Sequence, residues 1–226
     1  MSYSVENLQT KLDRMLLWRK KELTTINQNI EISSGEVLEI NIRSGIVFLY
    51  AHWEGFIKQA AREYLKFLNN QNLYCRDIID NLHILHLKPT ITEHGVAKKS
   101  TAHANIYNKI VNSPNEIFNV KPNEDNIIST DGNLKYSILE NILFSLGLDK
   151  SQYALQKVRI DSELLYSRNN IAHGEHIGFT HKHQSEQKAK ESFGELYSAM
   201  LALIETFKEQ ILDAAMHERY KKTLNP

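Results

Sequence analysis

The chain has almost no cysteine, because Cys75 is the only one among its 226 residues. A lone cysteine cannot form an intramolecular disulfide, so no disulfide framework holds this fold together. With 42% hydrophobic residues, the chain has enough apolar material for an ordinary buried core without a disulfide or metal. Cys75 also has no recognisable Cys-His context in the sequence, which argues against a catalytic thiol.

An excess of charge of one sign is also lacking, since 27 Lys and Arg balance 27 Asp and Glu. Any contact with RNA must therefore come from a local patch. Charges interrupt the most apolar stretches, near 40–68 and 196–212, which argues against a membrane span. The start MSYSVENLQTKLDR has neither the basic nor the apolar region of a signal peptide. We expect a soluble, cytoplasmic protein that does not contact a membrane.

Motifs for common cofactors are missing. The glycines form neither a Walker loop nor a dinucleotide fingerprint, so ATP hydrolysis is not supported. A metal site remains an alternative because histidines stand at 173, 176, 181 and 183. These histidines have no adjacent cysteine and no His-Glu-x-x-His arrangement. We therefore expect no metal and no cofactor.

Helical periodicity, in contrast, covers most of the chain. Apolar residues at three- and four-residue steps predict helices at about 5–30, 37–68, 134–146, 162–173 and 185–222. Ser33, with Glu36 three residues later, offers a capping box before the second helix, and Gly147 a C-terminal cap. Because no repeat or linker is visible, we predict a single all-α domain over 1–226, built as a helical bundle.

The middle third of the chain is less regular. We predict a short helix at 77–85, a break at Pro89 and another helix from about Glu93. Residues 112–133 are rich in turn-forming residues and predict a long loop, with a short strand at Ile127-Ile128. Residues 86–133 would thus be a helical and loop insertion in the bundle. The polar segment 175–183 is predicted to be a turn.

The segment Arg168-Asn169-Asn170-Ile171-Ala172-His173 concentrates groups suited to phosphodiester chemistry. On a helix Asn169 and His173 share a face, and the long Arg168 side chain can bridge its offset of roughly 140° from His173. Arginine holds phosphate oxygens through paired hydrogen bonds, and histidine moves protons near neutral pH without a metal. These residue types suit the binding and cleavage of a phosphodiester.

This segment resembles the motif of the HEPN superfamily, an arginine and a polar residue followed after a short spacer by a histidine. The upstream run Arg43-Ser44-Gly45-Ile46-Val47-Phe48-Leu49-Tyr50-Ala51-His52-Trp53-Glu54-Gly55-Phe56 resembles the second helix of the MAE-like branch of that superfamily. The two segments lie on separate predicted helices in the expected order. We therefore expect a HEPN-type helical bundle.

The resemblance implies a homodimeric, metal-independent endoribonuclease with two motifs facing each other. His173 would assist attack of a ribose 2′-hydroxyl, Arg168 would stabilise charge on the phosphate, and Asn169 would orient one of them. The products would carry 2′,3′-cyclic phosphate and 5′-hydroxyl ends. The family also suggests a toxin or antiviral effector controlled by an antitoxin or another defence-system protein.

Further residues are candidates for support and for RNA binding. Supporting roles are assigned to His52, Glu54, Asn170 and Glu175, and RNA contacts to Lys182, Lys188 and Lys190. In the alternative interpretation, Arg168 merely pairs with a carboxylate such as Glu163 or Glu175, and His173 is an ordinary helix-terminal residue. Two other functions stay open: a non-catalytic HEPN interaction module, and a regulator that binds RNA or nucleotides without cleaving RNA.

Overall fold

The computed structural model describes residues 3–124 and 126–222 of the chain. Within these residues no β-strand forms, only two isolated bridges, which confirms the predicted all-α class. The α-helices of this part are α1 Val5–Ile32, α2 Gly35–Asn69, α3 Asp80–His94, α4 Ser100–Asn112, α5 Tyr136–Leu146, α6 Ser151–Ala154, α7 Tyr166–Ala172, α8 Phe179–His183 and α9 Glu186–Met216. Short 3-10 helices lie at Cys75–Asp77 and Ser113–Asn115, and a π-helix at Arg159–Leu165.

The three long helices α1, α2 and α9 pack against one another and form the centre of the bundle. Each contributes the apolar face that its sequence period predicts, and α2 also buries its aromatic residues Tyr50, Trp53 and Phe56. Burial of one such side chain stabilises the fold by about 1.5–3 kcal/mol. Helix α2 also packs against α7, so it is the element on which the candidate site is built.

Several helix ends are fixed by local caps, of which the sequence predicted the one at Gly147. Ser4 and Asn7 form a capping box at the start of α1, and the Ser185 hydroxyl accepts a hydrogen bond from the Lys188 N–H at the start of α9. Gly147 ends α5 in the left-handed conformation, with a φ of 69°. The predicted bounds of α1, α2 and α5 are therefore close to those observed.

The predicted capping box before α2 is wrong. Ser33 is the C-terminal cap of α1, and Ser34 precedes α2 without a side-chain hydrogen bond. The Gly35 N–H instead donates to the Glu186 carboxylate at 2.8 Å, and Gly35 has a positive φ of 58°. The distant start of α9 therefore caps this turn, which local sequence could not reveal.

Helix α3 continues through Pro89, where we predicted a break. Proline removes one backbone hydrogen bond and costs about 3 kcal/mol within a helix. Leu82, Leu85 and Leu87 are buried on α3, which also packs against α4 and α5. This packing outweighs the local preference.

The predicted strand at Ile127-Ile128 is a turn in the structure. Both side chains are buried, and the Ile127 N–H donates to the Glu124 carbonyl at 3.1 Å. No partner strand lies beside them in the part of the chain that the structure describes. Hydrophobic burial rather than strand pairing therefore explains this apolar pair.

Two further expectations need correction. The predicted turn 175–183 contains the short helix α8, because the distant Glu39 carboxylate accepts the N–H groups of Phe179 and Thr180 at 2.8 and 2.7 Å. The last helix ends at Met216 rather than at about Lys222. The chain then folds back, and the Tyr220 carbonyl accepts a hydrogen bond from Ile79 N–H at 3.0 Å.

The single domain over 1–226, with an insertion at 86–133, stays a prediction. Its limits at 1 and 226 lie outside the described residues. Among the described helices, none is both long enough and apolar enough to cross a bilayer.

Two glycines test the packing of α2 on α9. A Cβ added at Gly45 would lie 2.8 Å from ring atoms of the buried Phe193, whereas one at Gly194 on α9 would meet no atom within 4 Å. We expect Gly45→Ala to lower the free energy of unfolding by about 1 kcal/mol or more. Gly194→Ala should raise it by about 0.5–1 kcal/mol. Urea unfolding followed by circular dichroism measures both, and equal effects would contradict the described packing.

Candidate active site

The motif lies on α7, which continues directly from the π-helix and packs against α2. Arg168 and Asn169 are partly buried, whereas His173 is exposed at the end of the helix. Gly174 has a φ of 81°, and its N–H donates to the Ile171 carbonyl at 3.1 Å. The glycine thus ends the helix immediately after His173, as the sequence predicts. A π-helix beside such a segment is frequent at functional sites.

Arg168 is held by three groups. Its guanidinium carbon lies 4.1 Å from the centre of the Tyr50 ring on α2. Its Nη1 donates to the Asn169 side-chain oxygen at 2.7 Å and to the Asn133 side-chain oxygen at 3.2 Å. Among the described residues, Nε and Nη2 have no hydrogen-bond partner. The arginine is therefore oriented while several of its donors are left for an anion.

Tyr50, beneath Arg168, is itself fixed. The Tyr50 hydroxyl accepts a hydrogen bond from the Leu134 N–H at 2.7 Å. Burial is the largest influence on the pKa of Tyr50 and raises it. The hydrogen bond from the Leu134 N–H lowers this pKa by a smaller amount, and the nearby Glu54 carboxylate raises it. Tyr50 therefore stays a neutral phenol and offers the guanidinium an uncharged aromatic face.

Two of these groups were not among the predicted site residues. Tyr50 is a buried residue of α2, and one face of its ring also supports Arg168. Asn133 lies in the loop before α5, far from the motif in sequence, and no sequence signal indicates its contact. Glu54, a predicted supporting residue, reaches Arg168 only indirectly through Tyr50.

His173 presents a ring without a partner in the described part of the chain. Its backbone N–H donates to the Asn169 carbonyl at 2.9 Å, which places the histidine one turn beyond that residue. The exposed imidazole, which follows Arg168 on the same helix, is accessible to a bound ligand and has the chemistry of a general acid or base.

The alternative pairing of Arg168 with a carboxylate is not what the structure contains. Glu163 lies 4.0 Å from Arg159, one turn before the motif. Glu175 is exposed, and its N–H donates to the Asn170 carbonyl at 2.9 Å. Of the described acidic residues, neither forms an ion pair with Arg168. Asn170 and Glu175 thus help to close the end of α7 through their backbones.

His52 belongs to a different cluster. Its Nε2 lies 2.7 Å from a Glu22 carboxylate oxygen, and its ring packs against Trp18 and Phe48 at centroid distances of 5.0 and 6.4 Å. Burial lowers the pKa of His52, which the Glu22 carboxylate partly opposes. These contacts join α1 to α2 and include none with the motif.

The three candidate RNA-binding lysines do not share one environment. Lys182 lines a cleft of about 290 Å³ with Ser167 and Arg159. Lys190 donates to the Glu31 carbonyl at 2.8 Å, and Lys188 is exposed on the first turn of α9. The structure therefore does not gather these three side chains into one visible RNA path.

The other catalytic and metal alternatives receive no structural support. Cys75 is fully buried, and burial together with nearby Glu116 raises the pKa of its thiol to about 11. Across residues 3–124 and 126–222, no three His, Cys, Asp or Glu side chains come close enough to hold a metal ion.

Comparison with known families now adds to this geometry. The family model described as RiboL-PSP-HEPN matches residues 14–213, which is most of the chain. The chain belongs to this family. The predicted membership of the HEPN superfamily is therefore confirmed, and with it the HEPN-type helical bundle. Neither the curated proteins nor the solved structures contain a match to the chain.

The buried hydroxyl of Tyr50 can be tested apart from its ring. Tyr50→Phe keeps the aromatic face below Arg168 but leaves the buried Leu134 N–H without its acceptor. We expect the free energy of unfolding to fall by about 1–3 kcal/mol. The NMR signals of the Arg168 guanidinium should keep their ring-current shift in Tyr50→Phe and lose it in Tyr50→Leu. An unchanged Arg168 spectrum in Tyr50→Leu would contradict the stacked arrangement.

Proposed function

We propose that this HEPN protein is a metal-independent endoribonuclease whose active residues are Arg168, Asn169 and His173. The observation that supports it most is the orientation of Arg168, stacked on Tyr50 and bonded to Asn169 and Asn133 through one nitrogen only. The exposed His173 lies at the end of the same helix. The resemblance of residues 168–173 to the HEPN motif, and of residues 43–56 to the second helix of the MAE-like branch, supports the same chemistry.

The proposed reaction uses groups already on the RNA. His173 takes the proton from a ribose 2′-hydroxyl, and the 2′ oxygen then attacks the adjacent phosphorus. The bond from phosphorus to the 5′ oxygen breaks, and that oxygen takes up a proton. The free donors of Arg168 bind the phosphoryl oxygens as negative charge develops. The products carry a 2′,3′-cyclic phosphate and a 5′-hydroxyl, and DNA is not cut because it lacks the attacking group.

We further propose that two copies pair through an apolar stripe on α2. Val37, Ile40 and Val47 are 59%, 55% and 37% exposed, and their spacing places them on one side of the helix. Ile40 and Val47 also line a groove of about 290 Å³ with Ile171 of the motif helix. A second copy covering this stripe would bring two motifs close together and remove apolar surface from water.

The biological role is proposed from the family resemblance. An RNA-cleaving protein of this kind would act as a toxin or antiviral effector, held inactive by a partner protein until released. In the alternative, the chain binds RNA through Arg168 without cleaving it, or serves only as an interaction module. The oriented arginine and exposed histidine favour catalysis over both alternatives.

The decisive assay is cleavage of labelled single-stranded RNA in EDTA. We expect wild-type protein to leave cyclic phosphate ends, identified by mass spectrometry. Arg168→Ala and His173→Ala should each reduce the rate by about a hundredfold or more. His181→Ala changes another exposed histidine, on α8, and should leave the rate unchanged.

Substrates with a single 2′-deoxy position supply the chemical control. Cleavage should stop at the linkage that follows the deoxy residue and continue elsewhere. Cleavage at that linkage, or equal activity of His173→Ala, would rule out the proposed mechanism. Stable RNA binding that depends on Arg168, without turnover, would favour the regulator.

The pairing of two copies has its own test. Val47→Asp places a charge in the α2 stripe and should weaken self-association at least about tenfold in analytical ultracentrifugation. Leu155→Asp is the matched control, because Leu155 is 83% exposed and lies outside the stripe. A wild-type chain that stays monomeric at micromolar concentration, or a Val47→Asp chain that still dimerises, would refute this interface.

A further inference from the structure

Helix α4 exposes three large apolar side chains. All of its residues are described, and none is buried. Tyr107, Ile110 and Val111 are 67%, 48% and 53% exposed, and their spacing places them on neighbouring positions of one side. The helix thus has an outward apolar patch that no other described element covers.

The side of α4 that contacts the protein carries the half-buried Ile106 and Lys109. Lys109 bonds to the Glu116 carboxylate and lies 3.2 Å from His86 Nε2 on α3. At the end of α4, the His83 Nε2 and Ser113 hydroxyl are 2.7 Å apart. These contacts hold α4 against α3, and Tyr107 and Val111 point to the opposite side because each is two positions from Lys109. The outward face is fixed by the inner contacts.

This region is also positively charged, although the chain as a whole is neutral. We define the α3–α4 arm as residues 88–112, which contain four lysines and one acidic residue, Glu93. One of these lysines, Lys109, is paired with Glu116 beyond the arm. Lys98 and Lys99 are exposed in the turn before α4 and form no ion pair with the described residues. Val96 beside them is 93% exposed. The arm thus combines uncovered aliphatic side chains with unpaired positive charge.

We propose that the α3–α4 arm binds an acidic amphipathic helix of a partner protein. Exposed valine and isoleucine gain free energy when covered by other apolar side chains, and a helix laid along α4 supplies them at matching spacing. Carboxylates on that helix complement Lys98 and Lys99. The phosphates of RNA could pair with the lysines, but RNA has few aliphatic groups to cover Ile110 and Val111. A protein partner therefore fits the surface better. This inference does not depend on ribonuclease activity.

A designed peptide provides the probe. One fluorescent peptide carries leucines on one helical face and glutamates on the rest, and a second has lysines in place of the glutamates. We expect the acidic peptide to bind the full chain more tightly than the basic one, with an affinity that falls as salt rises. Chemical shift changes in the protein should centre on α4 and the turn before it.

Paired variants locate the binding. The double variant Ile110→Ser with Val111→Ser should lower the affinity for the acidic peptide at least about tenfold. Leu155→Ser with Val158→Ser removes two other exposed apolar side chains, 83% and 67% exposed, and should leave binding unchanged. Circular dichroism checks that both chains are folded.

Several outcomes would overturn the proposal. The proposal is refuted if the acidic peptide does not bind the protein at millimolar concentration, or if both double variants weaken peptide binding equally. Displacement of the peptide by single-stranded RNA, with the same dependence on Ile110 and Val111, would assign the arm to RNA. Loss of self-association in the Ile110 and Val111 variant would assign it to a second copy of the chain.

Discussion

The stacking of Arg168 on the buried ring of Tyr50 is the contact that organises the candidate site. A guanidinium on a flexible side chain has many conformations, and fixing it in advance lowers the cost of binding a phosphate later. Tyr50 can serve as this platform because α2 packs against both α1 and α9. In addition, the Leu134 N–H donates a hydrogen bond to the Tyr50 hydroxyl. The central bundle therefore determines where the arginine lies, and the motif helix only presents it.

This arrangement divides the work among three parts of the chain. Helix α2 supplies the ring of Tyr50, and α7 supplies the arginine and the histidine. The loop before α5 supplies the Asn133 side-chain oxygen, which accepts a hydrogen bond from Arg168 Nη1, as the Asn169 side chain also does. The same middle third that ends at Asn133 also contains the α3–α4 arm with its uncovered apolar face. Chemistry and recognition are thus proposed for different surfaces, one at the bundle and one beyond it.

Much of this was predictable from periodicity and local signals. Helices α1, α2, α5 and α9 follow from their apolar spacing, and Gly147 and Gly174 mark helix ends because both adopt positive φ. The placement of Arg168 and His173 on one helix followed from the motif. These features depend on interactions within a few residues, which a sequence displays directly.

The features that escaped prediction depend on distant partners. Glu186 caps the turn at Gly35, Glu39 caps α8, and Asn133 reaches Arg168 across 35 positions of sequence. No local pattern encodes such contacts. Pro89 was misinterpreted for the same reason, since tertiary packing of α3 outweighs its backbone preference. His52 was assigned a supporting role, yet its neighbours on α1 place it in another cluster.

The central proposal is that Arg168 and His173 act together on one phosphodiester of RNA. A crystal structure with an oligoribonucleotide carrying a 2′-deoxy residue at the cleavage position would test it most directly. The account predicts a phosphate within hydrogen-bond distance of Arg168 Nη2 or Nε, with Arg168 still on Tyr50 and the His173 ring beside the sugar 2′ carbon. RNA bound elsewhere, with no phosphate at Arg168, would contradict it.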